Sequence, residues 1–553
     1  MTMLLALLIA AADPAAAYKG VNGAKVPEAE AGARVSTLVQ TLADASMPRS
    51  ATVLLAALAT DPEQSAAVRG AAQARLAARA AEDPALVHLL LSEQSDPGRL
   101  PPALAVAIAR GHLERALQIA PPEEGVAFET LRQQGPDVQK ASATALDEDL
   151  AAEMGLKAPE LAAPEAAEPV QRLAEPAQRE LDVARALAAS VPPGDPAEAD
   201  AREVAGLAAL AAGDPAGATR EFMAIADLPV KRGDQAAAQR RDKAFLQLAR
   251  LAYQRGDDAL ATRLYERVGR DAPEWLDALF EASWSHFRRG GDEKALGNLL
   301  TLHAPFFQER FFPESYILKA LVMYENCRYP DARVALADFQ QRYQSLHDGL
   351  AGVVAGLSTP QAAADLLIRG PVGLQQAVPA AAREEVARME QDADVRGALV
   401  AAVGLAQEID SIDRRPEPLR TSALIARVAP LARQARMRLL TVAGRKLIAR
   451  IDAERATLRE LLAQSLRLSY EIAGREKELA ASPDSALVAQ GHRDPPQVAD
   501  DEELWPFQGE YWRDELGSYQ YQLGKRCKRP RAPIQTAAQP EPAPRKVAGT
   551  PQD

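Results

Sequence analysis

Cysteine is nearly missing from this chain, with two in 553 residues, Cys327 and Cys527. That excludes a disulfide-dense scaffold and a Cys-rich zinc site. Aromatic residues make up only 5%. Alternating runs of β-branched residues are lacking, so little or no sheet is expected. No apolar stretch is long enough to span a bilayer as a helix. The net charge is −12, and an acidic body argues against nucleic acid as the main partner, because phosphate neutralisation needs clustered Lys and Arg. None of the six histidines pairs with another at metal-ligand spacing, and neither cysteine is in a CxxC arrangement. The chain also lacks a phosphate loop, a dinucleotide fingerprint and a nucleophile elbow. No catalytic residues, metal or cofactor are therefore expected; the rival reading is an enzyme with an unrecognised site in the Ala-rich first third.

What is abundant is alanine, the best helix former, so the chain reads as all-α. The start, MTMLLALLIAAADPAAAYKG, has an apolar core from Leu4 to Ala12 followed by small residues. Residues 1–17 are expected to be a signal peptide, cleaved near Ala15-Ala16-Ala17 or Ala10-Ala11-Ala12, although basic residues are missing ahead of Leu4. The alternatives are a frayed Ala-rich helix or a misplaced start. Periplasmic export is the expectation and the cytoplasm its rival. An isolated cysteine pair in an exported protein suggests one disulfide; two separate thiols are the other reading.

Residues 18–195 read as an Ala-rich helical region. Short amphipathic segments at Arg34–Ala45, Ala51–Ala59, Ser65–Ala81, Pro84–Ser92 and Pro102–Ile119 are separated by Asp-Pro and Pro-Pro breaks. Lys157 to Pro176 looks like a linker.

Residues 196–345 carry a phrase that recurs four times. A turn residue (Gly213, Gly256, Gly290, Cys327) is followed five positions later by Ala (Ala218, Ala261, Ala295, Ala332). A large apolar residue comes four after that (Phe222, Tyr265, Leu299, Leu336). Gly256 and Gly290 are 34 residues apart, the tetratricopeptide spacing. Small residues at Gly206, Ala249, Ser283 and Ala320 let the paired helices approach. Pro273 is expected to end the second helix of its repeat. The insertion Pro229 to Arg241 is an extended loop or a helix extension. In such an array the first helices line a concave groove. Here they contribute Arg250, Tyr253, Phe280, Trp284, Phe287, Arg288, Ile317, Leu321 and Tyr324. Aromatic and Arg residues are the usual anchors of interfaces. Either another protein fills this groove or the chain's own later segments do.

Residues 346–482 are expected to form a long-helix hairpin, with one helix over Ala380–Ile412 and a very long one over about Pro418–Ala480. Leu447, Ile451, Leu458, Leu461, Leu468, Ile472 and Leu479 give the latter a coiled-coil-like seam. The seam is closed within the chain or by self-association. Pro430 is a candidate kink. Residues 483–528 hold a linker and an aromatic island with Trp505, Phe507, Tyr511 and Trp512, the expected docking segment. Folding back onto the repeats would make Trp512 important to stability. Residues 529–553 are expected to be a disordered tail.

Leu279 to Phe287, Tyr316 to Tyr329 and Trp505 to Gly517 together resemble tetratricopeptide proteins of deltaproteobacteria, including envelope proteins associated with adventurous gliding motility in myxobacteria. The resemblance covers roughly Ala244 to Cys527. It implies a non-enzymatic periplasmic scaffold that binds other envelope proteins. It also implies a pairing of Cys327 with Cys527.

Overall fold

The computed structural model describes residues 27–92, 100–119, 174–480 and 509–523. Among them helices are the only regular elements, and no residue is in a strand. The expected signal peptide, most of the Lys157–Pro176 linker, Trp505, Phe507, Cys527 and the expected disordered tail lie outside the described residues. Among the described residues no single helix is long and apolar enough to cross a membrane.

The N-terminal region supplies α1 (Glu28–Asp44), α2 (Pro48–Thr60), α3 (Ala66–Ala80), α4 (Pro84–Leu91) and α5 (Pro102–Ile119). Their starts follow local chemistry. The Ser65 hydroxyl accepts from Val68 N at the head of α3, and the Asp83 carboxylate accepts from Leu86 N ahead of Pro84. Both satisfy donors that a helix leaves open in its first turn. α6 (Glu175–Ala189) lies along α5, where Glu180 Oε2 accepts from Arg115 Nε at 2.9 Å and sits 2.6 Å from His112 Nδ1.

Four helix pairs follow: α7 (Glu198–Ala211) with α8 (Pro215–Ala226), α9 (Gln235–Gln254) with α10 (Asp258–Glu266), α11 (Trp275–Arg288) with α12 (Asp292–Leu302), and α13 (Glu314–Glu325) with α14 (Tyr329–Gly356). The recurring phrase has one structural meaning in all four. Gly213, Gly256, Gly290 and Cys327 adopt φ of 72°, 78°, 79° and 55°. Each donates its N–H three residues back, and the next residue donates five residues back, as in Gly256 N to Tyr253 O and Asp257 N to Ala252 O. This is the Schellman turn, which closes a helix with one left-handed residue. Asp214 and Asp257 then cap the following helix by accepting from Gly217 N and Leu260 N. Ala218, Ala261, Ala295 and Ala332 are fully buried, and Phe222, Tyr265, Leu299 and Leu336 nearly so. Alanine is needed there because the two helices of a pair touch at that level. Ser46, with φ 54°, makes the same turn between α1 and α2.

Two boundaries differ from the sequence reading, and at the insertion the helix-extension alternative is the one seen. α10 ends at Glu266 rather than at Pro273, because Arg267 and Val268 N–H turn back onto Leu264 and Tyr265 carbonyls. The 229–241 insertion becomes helix from Gln235, where Asp234 caps α9. The division at residue 345 falls inside α14, whose 28 residues carry the fourth pair directly into the C-terminal bundle.

That bundle holds α15 (Pro360–Ala377), broken at Gly370-Pro371, then α16 (Arg383–Met389), α17 (Ala393–Asp410), a short α18 (Glu417–Arg420) and α19 (Ala423–Ala480). At 1.5 Å per residue the 58 residues of α19 extend about 87 Å. Pro430 lies within this helix. It sits on an exposed face, where water can pair the carbonyl its ring leaves without a donor. In place of a two-helix hairpin, α19 packs against α14, α15 and α17 together. Leu447, Ile451, Leu458, Leu461, Leu468 and Ile472 are buried, so these seam residues are covered within the protomer. The Leu479 side chain lies outside the described set.

One apolar core runs through the repeats and the bundle. A second joins α1 to α5 with α6, α7 and the start of α19, through Leu424, Ile425 and Val428. α7 and α19 therefore tie the Ala-rich region to the remainder.

Candidate functional site

The nine groove residues sit on α9, α11 and α13, and Arg250, Tyr253 and Arg288 join one helix pair to the next. Arg250 of α9 grips Glu281 of α11, with Nη2–Oε1 at 2.6 Å and Nε–Oε2 at 2.9 Å. Burial disfavours the Arg250 charge, but the Glu281 carboxylate more than offsets this and holds the guanidinium above its ordinary range. Burial beside the same carboxylate pushes the Tyr265 hydroxyl well up. Arg288 of α11 lies 4.6 Å over the Tyr253 ring and pairs with Asp258 at 3.1 Å. Burial raises Asp258 to about 6 against the opposing pull of Arg288.

The aromatic members do not form an open face. Tyr253 is 1% exposed, Trp284 3%, Phe287 2% and Ile317 4%. Trp284 meets Phe287 edge-on at 6.1 Å, and Phe280 packs on Phe312 at 5.8 Å. Leu321 and Tyr324 are half-buried, the latter against Tyr329. A buried, hydrogen-bonded ion pair fixes register more than it adds stability. The pair between Arg250 and Glu281 does this between the second and third helix pairs.

The described part of the C-terminal segment, residues 509–523, lies on α12 and its flanking turns. Gly517 N donates to Thr301 Oγ1 at 2.9 Å, and Lys294 Nζ donates to Gly517 O at 3.3 Å. Tyr521 N donates to Glu293 O, and Leu523 N to Glu293 Oε1. Arg270 holds the Asp514 carbonyl at 2.8 Å, and Arg328 holds that of Leu523 at 2.7 Å. A Cβ on Gly297 would come within 1.8 Å of Tyr519 O, so the helix admits the strand-like segment only through a glycine. The buried anchors are Leu516 and Leu523. Trp512, expected to be an anchor, is 55% exposed, and Tyr511 is half-buried, edge-on to Tyr519. Sequence reasoning weighted aromatic size and overlooked Leu516-Gly517, where φ of 87° at Gly517 brings the backbone onto Trp275.

One His–Ser contact invites a catalytic reading. His303 Nε2 lies 2.8 Å from Ser315 Oγ. The hydroxyl donates to the Phe312 carbonyl and is fully buried. The imidazole thus donates to Oγ and removes no proton from it. Burial drives His303 down to about 3, helped by Lys319 and Arg342, and its ring stacks on Tyr316 at 4.1 Å. The pair is a neutral packing element. Among the described residues no group of three or more His, Cys, Asp or Glu is placed to hold a metal ion. Compared with known families and curated proteins, the chain matches no family model and no curated sequence.

Proposed function

We propose that this chain is a non-enzymatic scaffold of the tetratricopeptide type that works in the periplasm. It would hold together partner proteins of an envelope machine of the gliding-motility kind. The observation that carries the reading is the fourfold Schellman turn at Gly213, Gly256, Gly290 and Cys327, each followed by a buried Ala. Repeated helix pairs build surfaces, and surfaces of this kind recruit proteins. Arg250, Tyr253 and Arg288 tie the second helix pair to the third, and Trp284 and Phe287 are buried, so the array leaves little open groove. Partner contact then falls to other faces of the molecule.

A Cys327–Cys527 disulfide belongs to the same reading. In its support, Cys327 is not a free thiol. Arg328 also holds the Leu523 carbonyl beside it. Four further residues reach Cys527, a span of at most about 14 Å. Such a bond would close a loop of about 200 residues, the length class in which a cross-link restrains the unfolded chain most. Non-reducing peptide mapping of periplasmic material is expected to recover the linked pair. Recovery of both thiols free would reject it.

The test of the whole is affinity isolation of the full chain from envelope fractions, with N-terminal sequencing of the mature protein. Export predicts a start beyond residue 12 and co-isolated envelope proteins. An intact Met1 in the cytosolic fraction would favour the second reading, a cytoplasmic adaptor. The missing basic residues ahead of Leu4 are what keep that reading alive.

A further inference from the structure

α19 has a second seam, on the face opposite its buried one. Arg427, Gln434 and Thr441 recur every seven residues, Pro430 and Met437 fall between them, and all five are exposed. Met437 is 46% exposed. The row ends at Gly444, which is buried against the Pro360 carbonyl, and Ile448 beyond it packs on the protein's own core. The exposed face is therefore polar, with Met437 as its one large apolar contact.

The charge along this stretch departs sharply from that of the chain. Between Glu417 and Asp452 there are eight Arg or Lys and no Asp or Glu, within a protein of net charge −12. Five of the eight are exposed: Arg420, Arg427, Arg433, Arg445 and Arg450. Some of the eight are engaged. Lys446 pairs with Glu114 and Asp394, Arg450 pairs with Asp392 and Glu454, and Arg438 donates to Leu89 O. Arg427, Arg433 and Arg445 make no ion pair with the described residues. From Arg427 to Arg445 is five helical turns, about 27 Å.

We propose that this stripe of α19 seats an acidic amphipathic helix from a partner protein. Acidic side chains on its flanks would meet Arg427, Arg433 and Arg445, and an apolar side chain would lie on Met437. α19 is bordered by α15, where a Cβ on Gly444 would meet the Pro360 carbonyl, and by α4, whose Leu89 carbonyl takes Arg438. The stripe therefore runs between neighbouring helices, a shape that suits a rod. A bilayer surface needs a broad apolar face as well as cations, and Met437 is the one large apolar side chain exposed on this stretch. The inference stands apart from the tetratricopeptide reading, because no repeat residue takes part.

The test uses the full chain and a synthetic three-heptad helical peptide with Leu along its seam and Glu on its flanks. A twin peptide carries Lys in place of Glu, and fluorescence anisotropy reads binding. The Glu peptide is expected to bind and to weaken as salt rises, while the Lys peptide does not bind. The combined change Arg427→Glu, Arg433→Glu and Arg445→Glu is expected to weaken Glu-peptide binding at least about tenfold and to admit the Lys peptide. Circular dichroism checks that its fold is kept. Arg445→Glu alone serves if the combined variant does not fold, with a smaller loss expected. Equal binding of the two peptides, or unchanged binding by the variants, overturns the proposal. So does sedimentation with phosphatidylglycerol vesicles through the same arginines without peptide binding.

Discussion

Glu408 caps a helix whose Ser50 lies 358 residues earlier in the chain. Its Oε2 accepts from both the backbone N–H and the hydroxyl of Ser50 at 2.7 Å, and its Oε1 accepts from Arg49 N at 2.9 Å. α2 begins at Pro48 without a side-chain cap of its own, because Met47 stands at the N-cap position. The end of α17 supplies the missing acceptor and brings a negative charge to the positive end of the α2 dipole. The Ala-rich region is thereby locked to the C-terminal bundle.

Loss of that carboxylate should be costly, since Glu408 and Ser50 are both buried. Glu408→Ala leaves two N–H donors and a hydroxyl without an acceptor. The expected loss is about 2–4 kcal/mol, in the range for removing charge-assisted buried hydrogen bonds. Glu408→Gln, which retains one acceptor oxygen, should lose less. Urea unfolding followed by circular dichroism measures both. Equal stability of Glu408→Ala and the parent would mean that the cap contributes nothing.

The turn residues give a prediction with a change of sign. Gly213→Ala, Gly256→Ala and Gly290→Ala each place a Cβ at φ of 72–79° and should cost about 1–2 kcal/mol. Cys327 already bears that strain at φ 55°. Under reducing conditions Cys327→Gly should therefore raise the melting temperature. Under oxidising conditions the same change should lower it, if the proposed disulfide forms. Thermal melts with and without a reductant decide between the two.

The repeats were legible because their requirements are local. A left-handed turn demands glycine at a fixed place, and a close helix pair demands alanine five residues on. Cys327 is legible without being glycine because its register matches the other three turns, whereas the isolated Ser46 turn is not. Pairings across the chain left no such trace. Nothing periodic connects Ser50 to Glu408, or Glu180 to Arg115 across more than sixty residues. The groove residues were correctly grouped on α9, α11 and α13. Their burial was not legible, because sequence spacing assigns a face to a helix and does not say how closely the next helix pair covers it. Trp512 misled in the same way: side-chain size marks capacity for burial, and Leu516 and Leu523 took the buried positions.

A substitution at Gly297 is expected to detach the C-terminal segment while the repeat helices stay folded. Gly297→Ala should raise the intrinsic propensity of α12 by about 1 kcal/mol, yet its methyl would collide with the Tyr519 carbonyl. The expected result is faster proteolytic cleavage near residues 509–523, with helix content unchanged. Trp512→Ala should change stability by less than about 1 kcal/mol, since the ring is largely in solvent. Limited proteolysis with mass spectrometry reads the first and thermal melting the second. A protected segment in Gly297→Ala would contradict the observed contact.

Two buried groups give pH dependences of opposite sign. His303, held down to about 3 by burial, is neutral in the folded state and gains a proton on unfolding below its ordinary pKa near 6.5. The unfolded chain then binds more protons, so its contribution is present above pH 6.5 and is lost as pH falls below it. Glu454 is shifted the other way. Burial, together with a hydrogen bond and like charge from Glu385, raises it, while Arg388 and Arg450 oppose the rise. The folded state keeps this proton longer than the unfolded chain does, so the contribution falls as pH rises from the ordinary carboxylate range toward neutrality and above. Glu454→Gln should flatten the neutral-to-alkaline limb of the stability profile and leave the acid limb intact. His303→Gln should flatten the acid limb between about pH 4 and 6.5, at some cost in stability because the stack on Tyr316 is lost. Urea midpoints measured across pH for the parent and the two variants separate these effects. Parallel profiles for all three would show that neither group titrates as its burial requires.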